Sequence, residues 1–156
     1  MKKIFKITII TVSVLIIITF LSSQMMNDGG LVYAQGGNTS DMQLLARAIN
    51  GEARGEGYEG QVAVGAVIIN RTKNSAFPKT ISGVIYQPGA FTAVTDGQIN
   101  VPLESGSQVL KAARDAINGF DPTNGCIYYW NPATATSKWI WSRQVVKKIG
   151  KHYFAK

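Results

Sequence analysis

The feature that most constrains the fold of this chain is a glycine-rich stretch at residues 50–56, because it places two carboxylates where a helix must end. Glu52 and Glu56 lie among its glycines. Upstream, apolar residues recur at helical spacing after the cap signal Thr39-Ser40-Asp41, which predicts a helix over residues 41–53. Glu52 would then lie in the last turn, where the negative end of the helix dipole opposes ionisation of a carboxylate. We therefore interpret Glu52 as a candidate general acid.

The remaining patterns predict a helix-rich fold with a small β element. Further helices are expected over residues 58–71, where small residues allow another helix to approach closely, and over residues 105–118. Aromatic and β-branched residues predict short strands at 127–130 and 139–141, which we expect to pair as a hairpin. The order lacks the regular alternation of a doubly wound sheet. The predicted class is α+β, mainly helical, in a single domain with a small β-hairpin.

The N-terminal residues predict an export signal. Lys2, Lys3 and Lys6 precede an uncharged run of 15 residues, and Val32-Tyr33-Ala34 is typical of a cleavage site. A membrane-spanning helix needs about 20 residues, so a cleaved signal is favoured over an uncleaved anchor. We expect a signal peptide at residues 1–34, a flexible tether at 35–40 and one compact domain at 41–156.

Charge and cysteine content narrow the kinds of chemistry available. Residues 35–156 contain 13 Lys and Arg against 8 Asp and Glu, a net charge of +5. This charge suits an anionic polymer such as a bacterial wall, although solubility explains it equally well. Cys126 is the one cysteine and His152 the one histidine of the chain. They are too few for a usual zinc site, so we expect neither a metal nor a cofactor.

Several blocks of residues follow one another in the order of a known family. They are Leu45-Ala46-Arg47, Asn50-Gly51-Glu52-Ala53-Arg54-Gly55-Glu56, Gly60-Gln61-Val62-Ala63-Val64-Gly65-Ala66-Val67, Asn70-Arg71, Phe77-Pro78, Phe91-Thr92-Ala93-Val94, Trp130-Asn131-Pro132 and Ile149-Gly150-Lys151-His152-Tyr153-Phe154. Together they resemble the catalytic domain of spore cortex-lytic enzymes, the SleB/CwlJ group of cell wall hydrolases. The resemblance covers essentially residues 41–156, and the export signal makes the chain more similar to SleB.

This resemblance implies a lysozyme-like fold related to lytic transglycosylases. It implies cleavage of peptidoglycan between N-acetylmuramic acid and N-acetylglucosamine, with a requirement for muramic-δ-lactam in the better-known members. We also expect the protein to be a monomer. The essential glutamate of the family corresponds to Glu52. The resemblance also implies a location in the cell wall or the spore cortex and coat, a regulatory partner of the YpeB kind and no nucleic acid.

One carboxylate is sufficient for the implied reaction. Glu52 would protonate the departing glycosidic oxygen and then, ionised, remove the proton of the sugar's own C6 hydroxyl as that hydroxyl attacks C1. The alternative for Glu52 is a solvated acid paired with Arg47 or Arg54. Glu56 would orient Arg54 or raise the proton affinity of Glu52 by like-charge repulsion, unless it has only a surface role in the turn.

Aromatic residues in the C-terminal part are candidates for a sugar-binding groove, because sugar C–H faces pack on aromatic rings. Trp139 and Trp141 would share one face of their predicted strand. Asn131 would hydrogen-bond an acetamido group or cap a turn. Core packing is the alternative for each ring. The predicted substrate-binding residues are Tyr128, Tyr129, Trp130, Asn131, Trp139 and Trp141.

Two other functions compete with glycan cleavage. Cys126 followed by His152 is the order found in papain-like wall peptidases, so a Cys/His peptidase or amidase is one alternative. Cys126, however, precedes an apolar strand and not a helix N-terminus that would activate it. We expect a buried thiol, and a structural His152 that holds the last segment to the core. The other alternative is a non-catalytic glycan-binding domain.

Overall fold

The computed structural model describes residues 40–156. The predicted signal peptide, and the predicted tether except for its last residue, lie outside the described residues. Across residues 40–156, no helix combines the length and the apolar character needed to cross a bilayer.

Within residues 40–156, five α-helices and two short 3₁₀ helices contain about half of the residues. Helix α1 occupies residues 40–53 and confirms the prediction for that segment. The others are α2 (Tyr58–Lys73), α3 (Ile81–Ile85), α4 (Thr92–Thr95) and α5 (Gln108–Ile117). Short 3₁₀ helices occupy Gln98–Asn100 and Ile140–Ser142. Helix α5 is shorter than predicted at its N-terminal end, and it stops as predicted before Gly119, which has a φ of 95°.

Helix α2 is the centre of the core. Its residues 60–68 are all buried, because α1, α3 and α5 pack around it. A Cβ built at Gly65 would lie 2.9 Å from Cδ1 of Ile49 and 3.0 Å from Cβ of Ala116. The small residue therefore allows the close helix contacts that the sequence predicted.

The β element is a three-stranded antiparallel sheet in the order β1-β3-β2. Its strands are β1 (Tyr128–Trp130), β2 (Val145–Ile149) and β3 (His152–Ala155). Tyr129 is opposite Phe154, and Ile149 is opposite His152. The mainly helical α+β class is confirmed, and its hairpin is β2–β3.

The predicted strand at 139–141 is wrong, and so is its pairing with the strand at 127–130. Trp139 caps the 3₁₀ helix Ile140–Ser142, and β1 pairs with β3. Only Ile140 of this aromatic run is buried, whereas Trp139 and Trp141 are each 49% exposed. In β3, His152, Phe154 and Ala155 are all buried, because this strand is central and packs against α2.

Candidate active site

Glu52 lies in the last turn of α1 and faces a pocket of about 470 Å³. Its Oε1 accepts a hydrogen bond from the backbone N–H of Ala93 at 2.9 Å. Its Oε2 accepts one from the hydroxyl of Tyr129 at 3.1 Å. Within residues 40–156, neither Arg47 nor Arg54 forms an ion pair with it. The alternative that Glu52 is a solvated acid paired with Arg47 or Arg54 is therefore wrong as far as the described residues are concerned.

Gly51 makes the contact between Glu52 and α4 possible. A Cβ at Gly51 would collide with the side chain of Ala93 and lie 3.3 Å from its Cα. The absence of a side chain lets α4 approach the last turn of α1 closely enough for the Ala93 N–H to reach Glu52. The close approach of Ala93 therefore explains why the residue next to the candidate acid is a glycine.

Replacing Gly51 with alanine should lower the free energy of unfolding by about 1–3 kcal/mol, because the new methyl group displaces backbone in a packed contact. Urea unfolding measures this loss, and hydrogen exchange at the Ala93 amide should become faster. Gly55→Ala is the matched control, since a Cβ there meets nothing within 4 Å. Equal stability of the two variants would contradict this account of the contact.

Tyr129 supplies the second hydrogen bond to Glu52 from strand β1. Burial raises the pKa of Tyr129 well above its usual value, and the nearby charge of Glu52 raises it further. The phenol therefore remains protonated at neutral pH and serves as a donor. Its ring lies edge-on to that of His152, with ring centroids 5.4 Å apart.

Glu56 lies beside the same pocket, but it is turned into the protein. Its side chain is 7% exposed, its Oε2 accepts a hydrogen bond from the N–H of Lys151 at 3.0 Å, and its Oε1 lies 3.7 Å from Nδ1 of His152. A Cβ at Gly150, which has a φ of 55°, would collide with this carboxylate. The alternative of a surface role for Glu56 is therefore wrong.

Arg54 is not oriented by Glu56 either. Its Nη1 donates to Oε1 of Gln98 at 2.9 Å, at the exposed rim of the pocket. The predicted effect of Glu56 on the proton affinity of Glu52 stays a prediction.

His152 is buried on β3, as expected of a structural histidine, and it also lines the pocket that Glu52 faces. Burial lowers the pKa of His152, against the opposing effect of Glu56 and Glu52. The imidazole is therefore neutral at neutral pH.

A second pocket of about 720 Å³ adjoins the first. Arg71, Thr92, Tyr129 and Trp130 line both pockets, so the two form one groove with Glu52 in its first part. We call this the Glu52 groove.

The predicted aromatic residues divide into two sets. Tyr128, Tyr129, Trp130 and Trp139 line the Glu52 groove. Trp141 is outside the described groove lining: its ring packs against Trp130 at 6.2 Å between centroids, and its Nε1 donates to the carbonyl of Ala135 at 3.4 Å. The prediction that Trp139 and Trp141 share one face of a strand is wrong, because these residues belong to a 3₁₀ helix and its N-cap.

Asn131 caps a turn, and its predicted contact with an acetamido group stays a prediction. Its Oδ1 accepts a hydrogen bond from the N–H of Ala133 at 2.9 Å, which caps the turn. The residue also lines the first pocket.

Cys126 lies away from the groove. It is fully buried in a cluster with Phe154 and Val67, and its Sγ donates to the carbonyl of Thr123 at 3.0 Å. Burial raises the pKa of this thiol, which disfavours the reactive thiolate. Among the described residues, no three His, Cys, Asp or Glu side chains are grouped so that they could hold a metal ion.

Two parts of the site were not predicted as such from the sequence. The Ala93 N–H belongs to the backbone and leaves no side-chain signal. Arg71 has a signal that could have identified it, because it is a charged residue that closely follows the apolar run at residues 62–69. A cation in that position needs a buried partner or a ligand.

Residues 55–155 match the model of a protein family described as Cell Wall Hydrolase. Glu56 is inside the matched region, and Glu52 lies just before it. A curated relative, the spore cortex-lytic enzyme of Bacillus cereus, is 59% identical over 121 residues. The aligned region covers 78% of this chain and 46% of that protein, so the chain spans about half the length of this relative.

Two solved structures have the same lysozyme-like fold. One is the catalytic domain of the Bacillus cereus SleB protein, with 58% identity, a TM-score of 0.71 and coverage of 76% of this chain and 91% of that one. The other is the catalytic domain of a germination-specific lytic transglycosylase, SleB from Bacillus anthracis. It has 59% identity, a TM-score of 0.70 and coverage of 74% and 93%.

Proposed function

We propose, from the premise that this chain belongs to the cell wall hydrolase family, that it is a lytic transglycosylase acting on peptidoglycan. The bond cut is the one between N-acetylmuramic acid and N-acetylglucosamine in the glycan strand. The observation that carries the proposal is the Glu52 carboxylate, which faces the groove and is held by two hydrogen-bond donors from other parts of the fold.

Glu52 acts first as an acid and then as a base. As an acid, it transfers its proton to O4 of the departing N-acetylglucosamine while the bond from C1 of the muramic residue to that oxygen breaks. As a carboxylate, it accepts the proton of the muramic C6 hydroxyl, whose oxygen forms the new bond to C1. The proton taken up in the second step replaces the one given in the first, and the product carries a 1,6-anhydro ring.

The two donors to Glu52 favour its role in the second step. Hydrogen bonds from the Ala93 N–H and the Tyr129 hydroxyl are stronger when the acceptor is ionised. They hold the carboxylate in one orientation when it has lost its proton. An attacking hydroxyl within the substrate has a large effective concentration, so this reaction requires no second carboxylate to position water.

The groove supplies the remaining binding contacts. Among its described lining residues, Glu52 and Glu56 are the acids, and Glu56 accepts a hydrogen bond from the Lys151 N–H. Tyr128 and Trp139 offer ring surface for sugars, and Asn131 offers its amide, whereas Trp130 is only 6% exposed and mainly packs in the core with Ile140 and Ala155. Arg54 would contribute a rim contact.

The biological setting is part of the same proposal. Residues 1–34 would direct export, and residues 41–156 would form the catalytic domain. The enzyme would act in the cell wall or the spore cortex as a monomer, under a regulatory partner of the YpeB kind.

Mass spectrometry of the products tests the reaction directly. Purified protein incubated with spore-cortex peptidoglycan should release fragments that end in 1,6-anhydromuramic acid. Fragments with a reducing end and one added water would replace the transglycosylase by a hydrolase. Free peptides would support the peptidase or amidase instead, and glycan binding without any product would support a non-catalytic domain.

A further inference from the structure

Arg71 is a buried cation with a fixed position. The residue is only 9% exposed, and its Nε donates a hydrogen bond to the carbonyl of Ile127 at 2.7 Å. The guanidinium carbon lies 5.2 Å from the ring centroid of Phe77 and 5.3 Å from that of Phe91. Aromatic faces at these distances attract a cation and hold it in place.

Most of the donors of Arg71 lack a partner within residues 40–156. A guanidinium has five N–H groups, and here the Nε–H is the one with a hydrogen-bond acceptor in that part of the chain. No carboxylate of the same residues forms an ion pair with it. The Nη atoms are not among the fully enclosed side-chain nitrogens that lack a partner in this part of the chain, so they are open to solvent where Arg71 lines the groove. A ligand oxygen that replaces water there accepts charge-assisted hydrogen bonds from a cation that is already held in place.

The position of Arg71 indicates where such an acceptor would come from. The residue lines both pockets and therefore stands where the two parts of the Glu52 groove meet. It is close enough to Glu52 for the two charges to influence each other. A ligand group bound by the two Nη atoms would belong to a sugar next to the bond that is cut.

The chemistry of the guanidinium selects among the groups of a glycan strand. Its planar fork donates two parallel N–H bonds to the two oxygens of a carboxylate, or two converging ones to the single carbonyl oxygen of an amide. Both sugars of peptidoglycan carry an acetamido group. Only muramic acid carries a lactyl substituent on O3, which ends in a carboxyl group, free or converted to an amide.

We propose that Arg71 is a specificity-determining residue that binds the carboxyl-derived oxygen of the muramic lactyl substituent. The subsite distinguishes muramic acid from N-acetylglucosamine beside Glu52. It rests on the proposed function, since it assumes a peptidoglycan strand in the Glu52 groove.

Binding measurements in a Glu52→Gln background test the subsite without turnover. The ligands are a tetrasaccharide of alternating N-acetylglucosamine and N-acetylmuramic acid with free lactyl carboxyls, and N-acetylchitotetraose of the same length. Adding Arg71→Met should weaken binding of the muramic ligand by 10-fold or more, and should change binding of chitotetraose by less than about twofold. Equal losses for both ligands, or no loss, would overturn the subsite.

Two further variants show whether Arg71→Met weakens binding through the subsite or only by disturbing the fold. Arg71→Lys keeps the charge and most of the packing but not the fork, so it decides the result if Arg71→Met does not fold. It should show the same selective loss to a smaller extent. Arg114→Met is the matched control, because this arginine is exposed on α5 and is not among the described lining residues of the groove, and it should leave the binding of both ligands unchanged.

A chemically altered ligand tests the lactyl group itself. A muramic tetrasaccharide whose carboxyls are reduced to alcohols should bind the Glu52→Gln protein as weakly as the native ligand binds its Arg71→Met derivative. Undiminished affinity for the reduced ligand would overturn the subsite. Release of anhydro products by the unaltered protein would then leave the proposed function standing, so the two failures are distinguishable.

Discussion

Replacing Glu52 with glutamine should reduce the rate of glycan cleavage by about 10³-fold, because the amide can neither donate the proton to the leaving oxygen nor accept one from the C6 hydroxyl. The side chain keeps its size, and its amide oxygen still accepts one of the two hydrogen bonds, so the fold should remain intact. Release of anhydro-ended fragments from cortex peptidoglycan measures the rate, and thermal unfolding measures the fold.

Glu59→Gln is the matched control for this variant. Glu59 lies in the first turn of α2, its side chain is 60% exposed, and its Oε1 lies 3.7 Å from Nζ of Lys147. An exposed pair of this kind contributes little to stability, so the control should have wild-type activity. If Glu52→Gln stays active, or if both variants lose activity equally, the role assigned to Glu52 is wrong.

Replacing Phe154 with alanine should have the largest effect on stability. Its side chain is fully buried in the cluster that joins the sheet to α2, with Ala63, Val67 and Ile149. Removing a buried phenylalanine ring costs about 3–5 kcal/mol, because burial is lost and a cavity remains. For a domain of this size, the midpoint of thermal unfolding should fall by roughly 10–25 °C.

Val146→Ala provides the comparison on the same sheet. Val146 is 44% exposed on β2, so its truncation should change the free energy of unfolding by about 0.5 kcal/mol or less. Similar midpoints for the two variants would show that the cluster around Phe154 does not join the sheet to the helices. Activity should fall with Phe154→Ala as well, because Phe154 is the register partner of Tyr129.

The helices could be predicted because their signals are local. Apolar spacing and the cap signal located α1, and small residues at the right spacing located the close packing of α2. The sheet could not be predicted in the same way. Lys147 and Lys148 interrupt the alternation of apolar and polar residues that would have predicted β2. The aromatic run 139–141 has the composition of a strand, although only Ile140 in it is buried.

The candidate site likewise has one part that local sequence signals predict and another that depends on tertiary packing. Glu52 and Glu56 are both conspicuous in the sequence, four residues apart in one glycine-rich stretch. Their environments differ because of residues far along the chain: Ala93 and Tyr129 bind Glu52, whereas Lys151 binds Glu56. No local pattern distinguishes a carboxylate that faces a groove from one that is turned into the protein.

By itself, the sequence determined the helical scaffold, the position of Glu52 at a helix end and the family to which the chain belongs, because each depends on residues close together or on blocks in a fixed order. Within residues 40–156, only the tertiary structure decided what surrounds Glu52, the inward orientation of Glu56, the position of Trp141 outside the groove lining and the position of Arg71 where the two pockets meet. Those features depend on packing between residues that are dozens of positions apart, and side-chain burial there is set by the neighbours that the fold brings together.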